Sequence, residues 1–322
     1  MISERSSLEK VSPIFTNRKT LVIGGRHSLR SAVDRIDSVV HDYDLMEITN
    51  NLSGKNLSEK IDSQIEIVLG VGGCSKLDSI KHACQIVKKP MFAYPTIFST
   101  DGISSRFCSI RDCSLNPLSL PTSYLYGVIA ELHFIDQVDE RYLRSGVSDV
   151  ISNITASYAS SDLLSSRFSN LIGQLMLNTV SETGLKDRYK IVSLIVESGS
   201  AVAEDNSTRS ISGFEHNIVH VLTLHHGSTR YMHGEIVGVS TIITSFLQNQ
   251  DWRKILDTLY SVGCPVLPND LGIENEEMIR MVKEASLIRS DRITPKTHKN
   301  LLSDEYLRKA LKTIENYVSQ IR

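Results

Sequence analysis

Residues 67–87 read IVLGVGGCSKLDSIKHACQIV: an apolar run, then Gly70, Gly72 and Gly73, then a helix-like pattern carrying Asp78 and Lys81. A strand that turns through glycines into a helix is the repeating joint of an open parallel sheet, and this joint sets the reading of the first half of the chain. Glycines there let the backbone approach a phosphate closely, and the free N–H groups and positive end of the helix attract it. A dinucleotide pyrophosphate fits such a turn; a tight reversal of the chain is the alternative.

Outward from this joint, TLVIGG (20–25), EIVLGVGG (66–73), MFAYPT (91–96) and LYGVIAEL (125–132) read as strands alternating with amphipathic segments. From about Val138 the texture changes: VSDVISNITASYASSDLL, NLIGQLMLNTVSETG, GEIVGVSTIITSFLQN and EEMIRMVKEASLI show helical periodicity. The expectation is an α/β chain, with a Rossmann-like parallel-sheet domain over 1–138 followed by an all-helical domain over 139–322. YPTIFSTDGISSRF (94–107) leaves a strand for a polar loop at the end of the sheet, where open α/β folds place their ligand crevice. Asp101 in that loop is a candidate for holding a substrate hydroxyl, or simply a turn residue before glycine.

Of 322 residues, 41% are hydrophobic and 22% charged, with a net charge of −2, which suits two globular domains and offers no bulk attraction to nucleic acid. The five scattered cysteines argue for free thiols in a reducing compartment, and no apolar stretch approaches the roughly 18 residues of a membrane span. A cytoplasmic protein, neither secreted nor inserted, is expected.

Five of the ten histidines fall within GFEHNIVHVLTLHHGSTRYMHGE (213–235). Ser212 and Glu215 have the spacing of a capping box, predicting a helix start at Ser212, with His216 in its first turn and kept neutral by the helix N-terminus. His220 lies four residues on, on the same face. Gly227 and Ser228 break the helix, and Met232-His233-Gly234-Glu235 opens the next one. Two histidines from neighbouring helices plus a carboxylate would make a three-ligand site with one position open, as a catalytic divalent metal requires. Asp149, on the small-residue segment SGVSDVISNITA (145–156), is the candidate carboxylate, a helix N-terminal residue being the alternative. His225 and His226 read as solvent-facing residues of a turn.

Together these stretches resemble the iron-containing alcohol dehydrogenase and dehydroquinate synthase superfamily, specifically its glycerol-1-phosphate and glycerol dehydrogenase branches. GVGGCSKLDSIK resembles the nucleotide turn, YPTIFSTDGISS the Pro-Thr-x-x-Ser-x-Asp-Gly loop, and SGVSDVISN the metal-aspartate helix. NSTRSISGFEHNIVH, HGEIVGVSTI and IRSDRIT are similar to blocks of the glycerol-1-phosphate enzymes. The resemblance implies metal ligation by Asp149, His216 and His233, with zinc the usual ion and iron or nickel the alternatives. It also implies substrate contacts from Asp101, Asp149 and His220. NAD or NADP would be bound by Gly72, Gly73, Cys74, Ser75, Lys76 and Asp78, with Thr96, Ser99 and Ser105 on the nicotinamide side.

The implied activity is metal-dependent, NAD(P)-linked interconversion of a small polyol or polyol phosphate and its ketone, glycerol 1-phosphate and dihydroxyacetone phosphate being the reference pair. The implied assembly is a homodimer or larger. A non-redox cyclase or lyase, or a nucleotide-binding homologue without catalysis, are the alternatives. Cys74 stands at the third glycine of the turn, where its side chain would crowd the pyrophosphate or demand a glycine-like conformation. LMEITNN (45–51) ends in Thr49, Asn50 and Asn51, with no carboxylate there to favour NAD over NADP.

Overall fold

The computed structural model describes residues 7–48, 53–111, 117–202, 207–227, 231–292 and 302–322. Among them lie seven strands: β1 (Thr20–Gly24), β2 (Tyr43–Glu47), β3 (Ile67–Gly72), β4 (Met91–Pro95), β5 (Phe107–Arg111), β6 (Pro117–Pro121) and β7 (Leu125–Val128). The helices are α1 (Ser7–Phe15), α2 (Arg26–Asp37), α3 (Gly54–Ser58), α4 (Cys74–Val87), α5 (Leu132–Gln137), α6 (Glu140–Ile151) and α7 (Asn153–Ala159). They continue with α8 (Ser165–Thr183), α9 (Arg188–Ser200), α10 (Phe214–His226), α11 (His233–Leu247), α12 (Trp252–Ser261), α13 (Asn275–Ala285) and α14 (Asp304–Ile321). The chain forms two compact units, 1–143 with 188–203, and 144–187 with 204–322.

The first unit is built on a parallel sheet in the order β2-β1-β3-β4-β7. Every residue of β1 and β3 is buried, as expected of strands covered on both faces. From β1 the chain crosses to β2 on one side, and from β3 to β4 on the other, so the order reverses between β1 and β3. The carboxyl ends of strands at such a switch point bound a natural ligand crevice. All four predicted strands are present. The antiparallel hairpin of β5 and β6 was not foreseen, and α9, far along the sequence, packs with this unit.

The regular elements among the described residues of the second unit are all helices, and its core is formed by apolar faces that include Val147 and Val150 of α6, Ile218 and Leu222 of α10, and Ile236 and Val239 of α11. Small residues admit a close approach of two helices: a Cβ on Gly234 would lie 2.0 Å from the Ser145 carbonyl oxygen, and one on Gly238 would touch Ser148. The backbone of α11 can therefore lie directly on α6.

Candidate functional site

In the second unit, Asp149 in the last turn of α6, His216 in the first turn of α10 and His233 at the start of α11 converge. Their ligand atoms all lie within 4.8 Å of one another. Asp149 Oδ1 is 3.3 Å from Nε2 of His216 and 3.4 Å from Nε2 of His233, and the two rings are 5.3 Å apart. Asp149 and His216 are buried, whereas the His233 side chain is 37% exposed, so the cluster is reached from the His233 side.

The predicted capping box does not form. Helix α10 begins at Phe214 with Gly213 as its N-cap, and the Glu215 carboxylate takes over: Oε1 accepts from the Gly213 N–H at 2.5 Å and Oε2 from the Thr155 hydroxyl at 3.1 Å. The same Oε1 lies 3.0 Å from His216 Nδ1. Fully buried Glu215 is thus an acceptor that puts the ring hydrogen on Nδ1 and aims Nε2 at Asp149, the carboxylate–imidazole arrangement that orients metal-bound histidines. Sequence reading saw only a capping residue here.

A neutral His216 would then present an Nε2 lone pair to a carboxylate oxygen at 3.3 Å, acceptor against acceptor, so that contact needs a cation in the form of a proton or a metal ion. Without metal, burial disfavours the charged ring, but the hydrogen bonds it donates to Asp149 and Glu215 outweigh this and push His216 up to about 9. This corrects the expectation that the helix N-terminus keeps it neutral: a half-charge of helix dipole loses to two carboxylates in contact. Burial likewise opposes the Asp149 anion, yet the two histidines hold it below the usual carboxylate range. The donor set, one carboxylate oxygen and two imidazole nitrogens with an accessible side, fits a divalent cation of the zinc, iron or nickel type.

His220 does not join the cluster: its Nε2 accepts from Arg289 Nη1 at 3.0 Å. His225 and His226 pair with Glu284 (2.8 Å) and Glu277 (2.7 Å) on α13.

In the first unit, Gly72 has φ +145°, a conformation side chains rarely adopt, and Gly73 caps α4. Cys74 is the first residue of the helix proper, so it needs no glycine-like backbone. Its sulfur lies 3.8 Å from Asp78 Oδ2 and beside Gly102. Ser75 and Lys76 follow in that first turn. Thr96, after β4, donates to Ser28 Oγ on α2 at 3.2 Å, which ties a second glycine turn, Gly24-Gly25, to the candidate crevice. That turn escaped the sequence reading, although its glycine pair closes a predicted strand. Glu47 ends β2 and pairs with Arg26 at 3.0 Å; Thr49, Asn50 and Asn51 lie outside the described residues.

Asp78 is engaged internally: it pairs with fully buried Lys81 at 3.1 Å and accepts from the Ser109 N–H at 3.1 Å. Lys81 Nζ also donates to the Gly102 carbonyl at 2.5 Å and the Phe107 carbonyl at 3.4 Å, fixing the loop that carries Asp101. Asp101 is buried and accepts from the Ser198 hydroxyl of α9 at 2.5 Å. Ser99 and Ser105 are buried in the same loop, where Ser105 Oγ accepts from the Phe107 N–H. Cys74, Cys84, Cys108 and Cys264 are free thiols; Cys113 lies outside the described residues.

Residues 10–138 match the family model of the iron-containing alcohol dehydrogenases. The chain is 30% identical over 309 residues, 91% of its length and 87% of the relative's, to a glycerol-1-phosphate dehydrogenase (NAD(P)+) of Pyrococcus furiosus. It is 32% identical over 297 residues, 87% of its length and 83% of the relative's, to that of Methanothermobacter thermautotrophicus. Glycerol dehydrogenase from Schizosaccharomyces pombe has the same fold, with a TM-score of 0.80 at 17% identity over 98% of this chain and 88% of that one. A probable glycerol dehydrogenase from Sinorhizobium meliloti superposes with a TM-score of 0.78 at 19% identity, over 98% and 96% of the two chains. The chain belongs to the iron-containing alcohol dehydrogenase family, on the branch of the glycerol-1-phosphate dehydrogenases.

Proposed function

We propose that this chain is a metal-dependent, NAD(P)-linked dehydrogenase that interconverts a three-carbon polyol phosphate and its ketone, with glycerol 1-phosphate and dihydroxyacetone phosphate as the pair. The observation that carries the reading is the His216–Asp149 contact, in which a nitrogen lone pair and a carboxylate oxygen meet at 3.3 Å while Glu215 occupies the other ring nitrogen. Relatives that share about 30% of residues over most of the chain carry the glycerol-1-phosphate dehydrogenase name.

Asp149, His216 and His233 would hold the divalent ion, zinc being the first choice. When bound, such a cation would supply Lewis acidity and a nicotinamide would supply hydride-transfer chemistry. The chain's own residues do the rest. Glu215 fixes the His216 tautomer and orientation. Arg289 donates to His220 Nε2, which leaves Nδ1 as the protonated nitrogen of the neutral ring, so His220 can present an N–H donor one helical turn from His216. Gly72 to Lys76 would receive the dinucleotide phosphates on backbone N–H groups at the α4 N-terminus, with Thr96 and Ser99 beyond the neighbouring strand. The Cys74 sulfur turns toward Asp78 and Gly102, which supports this role despite the lost glycine. Asp101 would contact the substrate. We place the enzyme in the cytoplasm as a homodimer or larger.

The test is oxidation of NADH and NADPH by the zinc-, iron- or nickel-loaded chain with dihydroxyacetone phosphate. Turnover with at least one metal is expected; no oxidation of either cofactor with any of the three would overturn the proposal.

A further inference from the structure

Helix α8, SSRFSNLIGQLMLNTVSET, carries apolar residues at more positions than one core-facing stripe needs. Ile172, Met176, Leu177 and Val180 are buried in the core of the second unit. Leu164, Phe168, Leu171 and Leu175 are not: they are 83%, 48%, 52% and 37% exposed. Leu164, at the N-cap, keeps helical dihedral angles (φ −63°, ψ −41°), so it continues the row begun by the other three. A single exposed leucine is ordinary, but four large apolar side chains in one row mark an interaction surface. A helix that is apolar on both faces is one that has both faces covered.

The row advances by four, three and four residues, the alternation of a coiled-coil seam, so the covering element is another helix. Its order also reads the same from either end: the pair Leu164 and Leu175 and the pair Phe168 and Leu171 share one midpoint. An antiparallel copy of α8 related by a twofold axis therefore sets Leu164 against Leu175 of the other copy and Phe168 against Leu171, so that each seam residue meets a seam residue. Charge agrees with this register. Arg167 and Gln174 each precede a seam residue, and in the antiparallel pair Arg167 flanks Gln174 of the other copy rather than a second arginine. Arg167 and Glu182 are the only charged residues of α8, so the helix lacks the basic face with which interfacial helices hold an anionic bilayer. Beside the seam, Arg167, Asn170 and Gln174 line an open groove with Tyr158 of α7 and Lys254 of α12, a polar rim around an apolar centre. A standard interface takes about 800 Å² from each partner, more than four side chains provide, so this rim belongs to the contact.

We propose that the exposed face of α8 is a twofold interface between two copies of this chain, closed by antiparallel pairing of α8 through Leu164, Phe168, Leu171 and Leu175. The inference rests on the homo-oligomer reading above, to which it gives a location, and is independent of the dehydrogenase chemistry. The seam uses none of Asp149, His216, His233 and Glu215, so it can be broken without touching the metal cluster.

The experiment measures the mass of the zinc-loaded full chain by sedimentation equilibrium across a concentration series, for wild type, Leu171→Glu, Leu164→Glu, and Leu164→Glu combined with Leu175→Lys. Bound zinc and thermal unfolding check that each variant is folded. Wild type should be a dimer or a larger even-numbered assembly. Each substitution occurs twice in a symmetric pair, so Leu171→Glu and Leu164→Glu should raise the dissociation constant on the order of 100-fold or more and at least halve the mass, with zinc content unchanged. The double variant sets a glutamate opposite a lysine and should regain much of the lost association, whereas a parallel pair would bring like charges together. Single variants with the mass of wild type would overturn the proposal and leave the homo-oligomer reading standing; a wild type that is monomeric at every concentration would end both. A double variant as dissociated as Leu164→Glu would reject the antiparallel seam. Monomeric wild type that binds phosphatidylcholine–phosphatidylglycerol vesicles, and loses that binding in Leu171→Glu, would assign the face to a lipid surface and overturn the proposal. Should Leu171→Glu fail to fold, the milder Leu171→Ser carries the comparison, and an unaltered dissociation constant there overturns it.

Discussion

Nε2 of His216 faces Oδ1 of Asp149 at 3.3 Å while Glu215 engages Nδ1 of the same ring at 3.0 Å, so a buried imidazole stands between two carboxylates. The ring cannot donate to both while neutral. This arrangement sets how the site responds to mutation, to pH and to metal.

Glu215 acts through His216, and its loss should be read in metal affinity. Glu215→Gln keeps an oxygen for the Gly213 N–H but no longer enforces the tautomer, and should weaken zinc binding 10- to 100-fold, about the usual cost of losing such a partner. Glu215→Ala adds a stability loss of about 1–3 kcal/mol from the orphaned Gly213 donor. Competition with a chromogenic chelator measures the first effect and urea unfolding the second. Unchanged zinc affinity in both variants would remove Glu215 from the site.

The metal-free protein should show the pH dependence of His216. Its folded pKa, about 9, exceeds the ordinary value of 6.5, so the stability it contributes is fully present below about 6.5 and lost as pH rises through 9. The shift corresponds to at most on the order of 3 kcal/mol. Zinc must displace that proton, so the rise in Tm on adding zinc should grow between pH 6.5 and 9, with about one proton released per ion at pH 7.5. Scanning calorimetry across this range, and titration in buffers of different ionisation enthalpy, check both. A zinc effect flat with pH would contradict the assignment.

How much of this was legible beforehand follows from how each part is encoded. Strands buried on both faces read as continuous apolar runs, so β1, β3 and β4 were visible in the chain alone. The β5–β6 hairpin was not, because PLSLP carries a proline at each end, which argues against a strand unless it lies at an edge. The convergence of Asp149, His216 and His233 was legible from residue type and helix punctuation. Glu215 was seen but misread, since its bonds to Gly213, Thr155 and His216 exist only once three segments meet. Arg289 lies 69 residues from His220, beyond any local pattern.

The close approach of α11 to α6 has its own test. Gly234→Ala would place a methyl group 2.0 Å from the Ser145 carbonyl oxygen, and backbone must move to admit it. The expected cost is about 1–3 kcal/mol, together with a loss of zinc affinity, because His233 is the adjacent residue. Unfolding curves and metal titration should shift together; a variant as stable as wild type with full zinc affinity would refute the packing.

In the first unit, Lys81→Ala should strand a buried carboxylate and free the Gly102 and Phe107 carbonyls. Breaking such a pair typically costs about 3–5 kcal/mol, measurable by urea unfolding. Burial already raises Asp78 against the pull of Lys81, so the double variant Asp78→Asn with Lys81→Met should recover much of the loss. A single variant within about 1 kcal/mol of wild type would show that the pair is not structural.

The central claim is a divalent ion held by Asp149, His216 and His233 and required for turnover. Its most direct test is elemental analysis of the purified chain before and after exhaustive chelation, with NAD(P)H oxidation assayed on the same samples. The expected result is about one zinc, iron or nickel ion per chain, activity that disappears with it and returns on adding the metal back, and neither metal nor activity in His233→Ala. Full activity in chelated protein that contains no metal would contradict it.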